Sequence, residues 1–353
     1  MVDDTALFRR VVSEALAQLP DVELIGTAPN GKIALDRVAA LNPDLVTLDI
    51  EMPEMGGLEV LESLQRSGHD CGVVVVSALT LKGGDLTVRA LERGAFDFVT
   101  KPSGGDPQSS IAAMRDALAP IVNTFKRRKE IRTILKTGSA SAAAAEVSRT
   151  LPGRPAEPGR ADLVVIGIST GGPNALAQML PALPANFPAP VLIVQHMPPL
   201  FTHSLAESLA AKCAVAVKEA EDGETARPAT VYIAPGGRHL KASPGVGGSI
   251  VLRITDDLPE NNCRPSVDTL FRSVANHFPG RAAAVIMTGM GSDGVLGLRL
   301  LKRQGSRVIA QDEASCIVFG MPGEAVKAGV VDVITPLEQI ASEIRRSVRG
   351  GGL

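Results

Sequence analysis

Residues 163–173 read Leu-Val-Val-Ile-Gly-Ile-Ser-Thr-Gly-Gly-Pro. An unbroken aliphatic run closed by glycines marks a strand buried on both faces of a parallel sheet, and Pro173 suits the first turn of a following helix. The cadence repeats at 191–195, 284–288 and 308–311, and before it at 22–26, 45–49, 73–77 and 96–100, with amphipathic stretches between. Repeated strand, helix, strand order demands right-handed crossovers, so the sequence predicts an α/β protein made of two doubly wound parallel-sheet domains. In such sheets chemistry collects where strands end at their carboxyl edges.

Composition agrees with aliphatic-cored sheets. The 353 residues include nine Phe, one Tyr and no Trp, beside 35 Gly and 25 Pro. Lys plus Arg (36) nearly balance Asp plus Glu (38), so no global basic field points to nucleic acid or an anionic membrane. Cys71, Cys213, Cys263 and Cys316 lie far apart, without the spacing of a zinc ribbon or disulfide framework. The N-terminus has no leader pattern and no segment reaches 18 uninterrupted apolar residues, which predicts a cytoplasmic protein. Near-neutrality hides an asymmetry. Residues 126–160 carry nine basic and three acidic side chains, a net of +6, leaving -8 for the rest. This segment opens on a helical period and turns Ala-, Pro- and Gly-rich, a linker that cannot bury enough apolar surface to order itself. The expected division is 1–119, linker 120–160, and 161–349.

In the first domain, Asp3 and Asp4 precede an amphipathic stretch at 5–18, and Asp49 closes the run Leu45-Val46-Thr47-Leu48. Three carboxylates at strand and loop ends make a hard oxygen site of the kind Mg2+ prefers. Ser77 ends the run 73–76, and Lys101-Pro102 follows the run 96–100. Singly, these are also ordinary caps and turn residues. In order, the acid pair, Leu48-Asp49-Ile50-Glu51-Met52-Pro53, Ser77-Ala78 and Lys101-Pro102 resemble the response-regulator receiver domain. The resemblance implies that Asp49 accepts a phosphoryl group from a histidine kinase, that Asp3 and Asp4 help hold Mg2+, and that Ser77 and Lys101 engage the phosphate. A phosphoaspartate adds charge and acceptor oxygens able to draw in a hydroxyl and an ammonium. Two departures stand out. Gly56 replaces a frequent acid, and only Met1 and Val2 precede the acid pair where receivers place the central strand of their 2-1-3-4-5 order. The expectation is a natural start upstream, with 22–26 and 45–49 deprived of the strand between them and Mg2+ binding weakened.

In the second domain, Gly167-Ile168-Ser169-Thr170-Gly171 matches G-x-S-x-G, which would project Ser169 from a sharp turn beside helix amides. Gly-rich turns also bind phosphate or simply turn. A serine hydroxyl needs a base. Of five histidines, His69 lies in the other domain, His203 early in a helix, His239 after a turn and His277 at a helix edge; His196 ends the run 191–194 at the same sheet edge as Ser169. Asp293, in the Gly-rich loop after 282–286, can orient His196 or cap the helix that begins at Val295. The order Ser, His, Asp departs from the Ser, Asp, His order of α/β-hydrolases.

Six ordered stretches, Gly167 to Gly172, Gln195-His196-Met197-Pro198, Tyr232 to Gly236, Arg264 to Asp268, Thr288 to Gly294 and Ala314 to Pro322, resemble the chemotaxis methylesterase (CheB) family. The resemblance implies hydrolysis of γ-glutamyl methyl esters on methyl-accepting chemotaxis receptors, and deamidation of receptor glutamines, with Ser169 as nucleophile, His196 as base and Asp293 as its orienter. Catalysis needs no cofactor. Thr170 and Met290 are pocket-lining or oxyanion candidates, and the phosphorylatable receiver is expected to cover the Ser169 edge until Asp49 is modified. The alternative is a non-enzymatic regulator that docks on receptor complexes, with no nucleic-acid partner and no membrane insertion in either case.

Overall fold

The structure is a computed structural model that describes residues 1–102, 104, 106–137 and 160–349, with backbone alone over 131–137 and at 349. The chain forms two compact units, Met1–Ser139 and Ala140–Leu353.

The first unit comprises α1 (Ala6–Ala17), α2 (Gly31–Leu41), β1 (Leu45–Asp49), α3 (Gly57–Arg66), β2 (Gly72–Ser77), α4 (Leu81–Glu92), β3 (Asp97–Thr100) and α5 (Pro107–Thr137). Its sheet has the parallel order β1-β2-β3. β2 is Val-rich and buried along almost its whole length, as a central parallel strand should be. The expected strand at 22–26 is not one. A strand needs a ladder partner on its edge, and among the described residues only the last part of this segment has one, in Met1 to Asp3. Val2 donates to Thr47 O (2.8 Å) and accepts from Asp49 N (2.9 Å), while Ala28 N donates to Met1 O (2.8 Å). Before that point the two edges diverge around a cavity of about 410 Å3 lined by Val22, Leu24, Leu41, Leu45, Val122 and Phe125 among others. Met1 to Asp3 thus bridge the two edges at the end that carries Asp3. The helical start of the linker is present, since α5 runs without a break to Thr137; the Ala-, Pro- and Gly-rich remainder lies outside the described residues.

The second unit runs β4 (Leu163–Ile168), α6 (Gly172–Met179), β5 (Val191–Gln195), α7 (Phe201–Ala210), β6 (Ala216–Glu219), β7 (Thr230–Ile233), β8 (His239–Pro244), β9 (Ile250–Thr255), α8 (Val267–His277), β10 (Ala282–Ile286), α9 (Val295–Arg303), β11 (Arg307–Gln311), α10 (Met321–Lys327), β12 (Val333–Thr335) and α11 (Leu337–Arg349). Its seven-stranded parallel sheet has the order β12-β11-β10-β4-β5-β7-β6. The chain begins at β4, builds outward through β5 to β7 and β6, then returns to lay β10, β11 and β12 on the other side. β4 therefore stands at the topological switch point, where the carboxyl edge opens a crevice. Every β4 residue is buried. The antiparallel hairpin β8–β9 tucks Leu240, Ala242, Leu252 and Ile254 into the core shared with Leu270, Phe271 and Val274 of α8. No helix among the described residues is long and apolar enough to cross a membrane.

Candidate active site

Register decides what meets at the switch point. Ile168 pairs with Gln195 on one side of β4, and Gly167 with Ile286 on the other. Ser169, His196 and the loop from Met287 consequently leave three adjacent strands side by side. The ladder continues past the strand ends: His196 N donates to Ile168 O (3.2 Å), Met287 N to Gly167 O (2.9 Å) and Ser169 N to Thr288 O (2.9 Å). The serine turn is clamped further by buried Gln195, whose Nε2 donates to Ser169 O at 2.9 Å. Gly171 makes the turn in the left-handed region at φ +79°, where a side chain is strained. Gly289 is demanded by proximity instead, because a Cβ there would stand 2.5 Å from Met321 Sδ and 2.7 Å from Ser169 Cβ.

His196 Nε2 lies 2.8 Å from Asp293 Oδ2, so an ionised Asp293 accepts the Nε2 proton and leaves Nδ1 as the basic nitrogen. Asp293 does not cap the helix that follows it, which starts from Gly294. It caps α8 instead: Val267 N donates to Oδ2 (2.7 Å), and Asp268 N (3.0 Å), Ser266 Oγ (2.9 Å) and Asn261 Nδ2 (2.8 Å) donate to Oδ1. One carboxylate thus serves as helix cap and histidine partner, and α8 supplies the positive end of its dipole to the charge. Burial would raise Asp293, yet the bonds from His196 and the α8 amides hold it at about 2. Burial likewise opposes the imidazolium, but the bonds to Asp293 and to Cys263 outweigh it and hold His196 up at about 9. Ser169 is half-buried, and among the described residues its Oγ makes no hydrogen bond; nucleophile and base commonly close to bonding distance only when substrate is in place.

The remaining histidines sit elsewhere. His239 is buried, with Nδ1 accepting from Ser266 N (3.2 Å) and Nε2 against Leu258 O (3.1 Å), so it braces the loop leading into α8. His203 and His277 are exposed on α7 and α8, and His69 belongs to the first unit. Thr170 is half-buried in the serine turn, its carbonyl accepting from Thr288 Oγ1 (2.9 Å), and Met290 is exposed on the β10–α9 loop. Two nearby amides are already engaged, Ser169 N by Thr288 O and Gly289 N by Val318 O (3.0 Å).

In the first unit, Lys101 Nζ bridges Asp3 Oδ2 (2.8 Å) and Asp49 Oδ2 (2.7 Å), both carboxylates being buried. Burial pushes Asp49 up and Asp3 adds to the rise, against the pull of Lys101. Asp3, Asp4 and Asp49 each place a carboxylate oxygen within 4.8 Å of the others. Asp3 Oδ2 is buried and takes no hydrogen bond of good geometry, its cationic neighbour being Lys101. An acceptor of that kind among hard oxygen donors fits Mg2+. Ser77, at the carboxyl end of β2, turns its hydroxyl to Gly83 O (3.2 Å).

Residues 164–344 match the CheB methylesterase family, and residues 1–113 the response regulator receiver domain. The chain belongs to the CheB methylesterase family. A protein-glutamate methylesterase/protein-glutamine glutaminase of Desulfotalea psychrophila is 50% identical over 357 residues, covering 99% of this chain and 98% of that protein. One of the same name from Bordetella bronchiseptica is 45% identical over 97% of this chain and 95% of its own. The crystal structure of the Thermotoga maritima CheB methylesterase catalytic domain superposes with a TM-score of 0.51 at 43% identity, covering 53% of this chain and 99% of that one. Both CheB domains expected from the sequence are thereby accounted for, as two α/β units with parallel sheets.

Sequence reasoning missed Asn261, Cys263, Ser266, His239 and Gln195 around the CheB site. Ser266 alone carried a local signal, since a serine just before an amphipathic helix is an N-cap candidate, and its Oγ does accept from Thr269 N (3.4 Å). Asn261 and Cys263 lie in the long loop between β9 and α8, whose course no periodicity reveals, while Gln195 and His239 sit at the ends of β5 and β8 with no local cue to their role.

Proposed function

We propose that this chain is a phosphorylation-regulated protein-glutamate methylesterase that removes methyl groups from γ-glutamyl methyl esters of methyl-accepting chemotaxis receptors and deamidates particular receptor glutamines. The observation that carries the reading is the placement of Ser169 and His196 on adjacent strand ends with His196 held by an ionised, five-bonded Asp293. Ser169 Oγ attacks the side-chain carbonyl carbon as its proton passes to His196 Nδ1. Asp293 stabilises the imidazolium that forms. His196 then protonates the departing methoxide, releasing methanol, or the departing amine from glutamine, releasing ammonia. A water, deprotonated by the same nitrogen, cleaves the acyl-enzyme and restores Ser169. Donors for the transient oxyanion come from the backbone around Thr170 and Met290, the two loops flanking the serine.

Regulation resides in the receiver. Asp49 accepts the phosphoryl group of a chemotaxis histidine kinase, Asp3, Asp4 and Asp49 hold Mg2+, and Lys101 and Ser77 respond to the phosphate. Bound Mg2+ supplies charge neutralisation for the transferring oxygens. The reaction is cytoplasmic, at the receptors' signalling domains. The test is methanol release from methylated receptor membranes with and without an acyl-phosphate donor. Release stimulated by the donor and abolished in Ser169→Ala is expected; undiminished release in that variant refutes the reading.

A further inference from the structure

We propose that Cys263 and His196 form a binding site for a soft divalent ion, Zn2+ foremost, that reversibly silences the esterase. The inference rests on His196 being the base of the proposed reaction. Cys263 Sγ lies 3.7 Å from His196 Nδ1. Ligands at about 2.3 Å (S) and 2.0 Å (N) from a tetrahedral zinc stand about 3.5 Å apart, so the pair needs to move only a few tenths of an ångström. The imidazole is already oriented for it. Its Nε2 proton is committed to Asp293, which leaves the Nδ1 edge beside the sulfur and reproduces the carboxylate, histidine, zinc relay that raises ligand basicity. Asp293 Oδ1 and Oδ2 are occupied by four further donors, so the carboxylate supports the site from outside the coordination sphere.

Both ligating residues are half-buried, which leaves water room for the other positions. Cys263 is held in place by paired backbone bonds with Glu260 (2.9 and 3.1 Å). A sulfur and nitrogen pair selects against Mg2+, which the hard carboxylates of the first unit suit instead. On binding, the Cys263 thiol and any Nδ1 that carries a proton release it to solvent as the sulfur–zinc and nitrogen–zinc bonds form, and Nδ1 donates its lone pair to the ion. That lone pair is the one that must take the Ser169 proton, so occupancy and hydrolysis exclude each other.

The experiment uses the full chain with excess Mg2+ to saturate the receiver carboxylates, titrated with Co2+ for spectroscopy and Zn2+ for inhibition. A thiolate-to-cobalt charge-transfer band at one ion per chain is expected, retained in Ser169→Ala and lost in Cys263→Ser. Asp293→Asn should bind Co2+ about 10- to 100-fold more weakly. Zn2+ should inhibit the parent, with activity restored by chelator, and Cys263→Ser, measured against its own rate without Zn2+, should need at least tenfold more Zn2+ for half-inhibition. Equal Zn2+ sensitivity in Cys263→Ser, or no thiolate band in the parent, overturns the proposal. Because the band is read without substrate, it reports the site even if Ser169 proves not to be the nucleophile.

Discussion

Replacing Asp293 with Asn exchanges one acceptor oxygen for a donor at a position where five donors converge. Whichever way the amide turns, its NH2 faces groups that also donate. Facing Oδ2's partners it opposes Val267 N and His196 Nε2; facing Oδ1's it opposes Asp268 N, Ser266 Oγ and Asn261 Nδ2. Leaving two buried donors unsatisfied costs about 2–6 kcal/mol of stability. The effect on His196 is separable from this. A proton held at about 9 rather than the ordinary 6.5 is bound roughly 300-fold more tightly, worth about 3 kcal/mol. Without the carboxylate, only the Cys263 bond is left to oppose burial, and the imidazole titrates below about 9. In the parent, a base that must be neutral makes kcat/KM rise with pH until about 9. In Asp293→Asn the inflection moves down from about 9, while the plateau falls about 10^3- to 10^4-fold because nothing fixes the productive tautomer. The sign for stability follows from linkage. A raised histidine adds stability that is complete below its unfolded value and is lost as pH climbs through about 9, so the gap in stability between parent and variant narrows at alkaline pH. Methanol release against pH, paired with NMR titration of the His196 ring, reads both quantities. An inflection that stays near 9 in the variant would refute the role given to Asp293.

Other outcomes follow from the same contacts. Asp49→Asn should abolish Mg2+-dependent incorporation of acid-labile phosphate from an acyl-phosphate donor, because the acceptor carboxylate within the Asp3 and Lys101 cluster is gone. Gly289→Ala forces a methyl against Met321 Sδ and Ser169 Cβ, and should cost about 1–3 kcal/mol by denaturant melting together with at least a tenfold loss of kcat. Ser266→Ala removes the α8 cap and one donor to Asp293, which should lower stability by about 1–2 kcal/mol and acidify Asp293 less strongly, seen as a small rise in its NMR pKa above about 2.

Much of this architecture can be read from residue order. Buried parallel strands such as β2 and β4 announce themselves as aliphatic runs, and residues just past such runs must share one sheet edge, which is how Ser169, His196 and Asp293 can be grouped before any coordinates. Segment 22–26 shows the limit. Its composition suits a strand, but pairing depends on what lies beside it, and among the described residues the bridge there is Val2 to Ala28 and Leu48. At the sheet edges β6 is short and half polar and β12 only three residues long, so neither stands out, and the β8–β9 hairpin interrupts a parallel pattern with period-two alternation. Asp293 illustrates a different gap: sequence places a carboxylate before α9, yet tertiary packing delivers it to the N-terminus of α8. Cys263 carries no local signal at all, since its meeting with His196 depends on a loop folded back across 67 residues.

The most direct test of the central claim is intact-protein and peptide mass spectrometry after exposure to a fluorophosphonate. A single adduct on Ser169, formed faster as pH rises toward about 9 and lost in His196→Ala, is the predicted result. No adduct at Ser169, or labelling that is indifferent to His196, would contradict a serine nucleophile activated at this sheet edge.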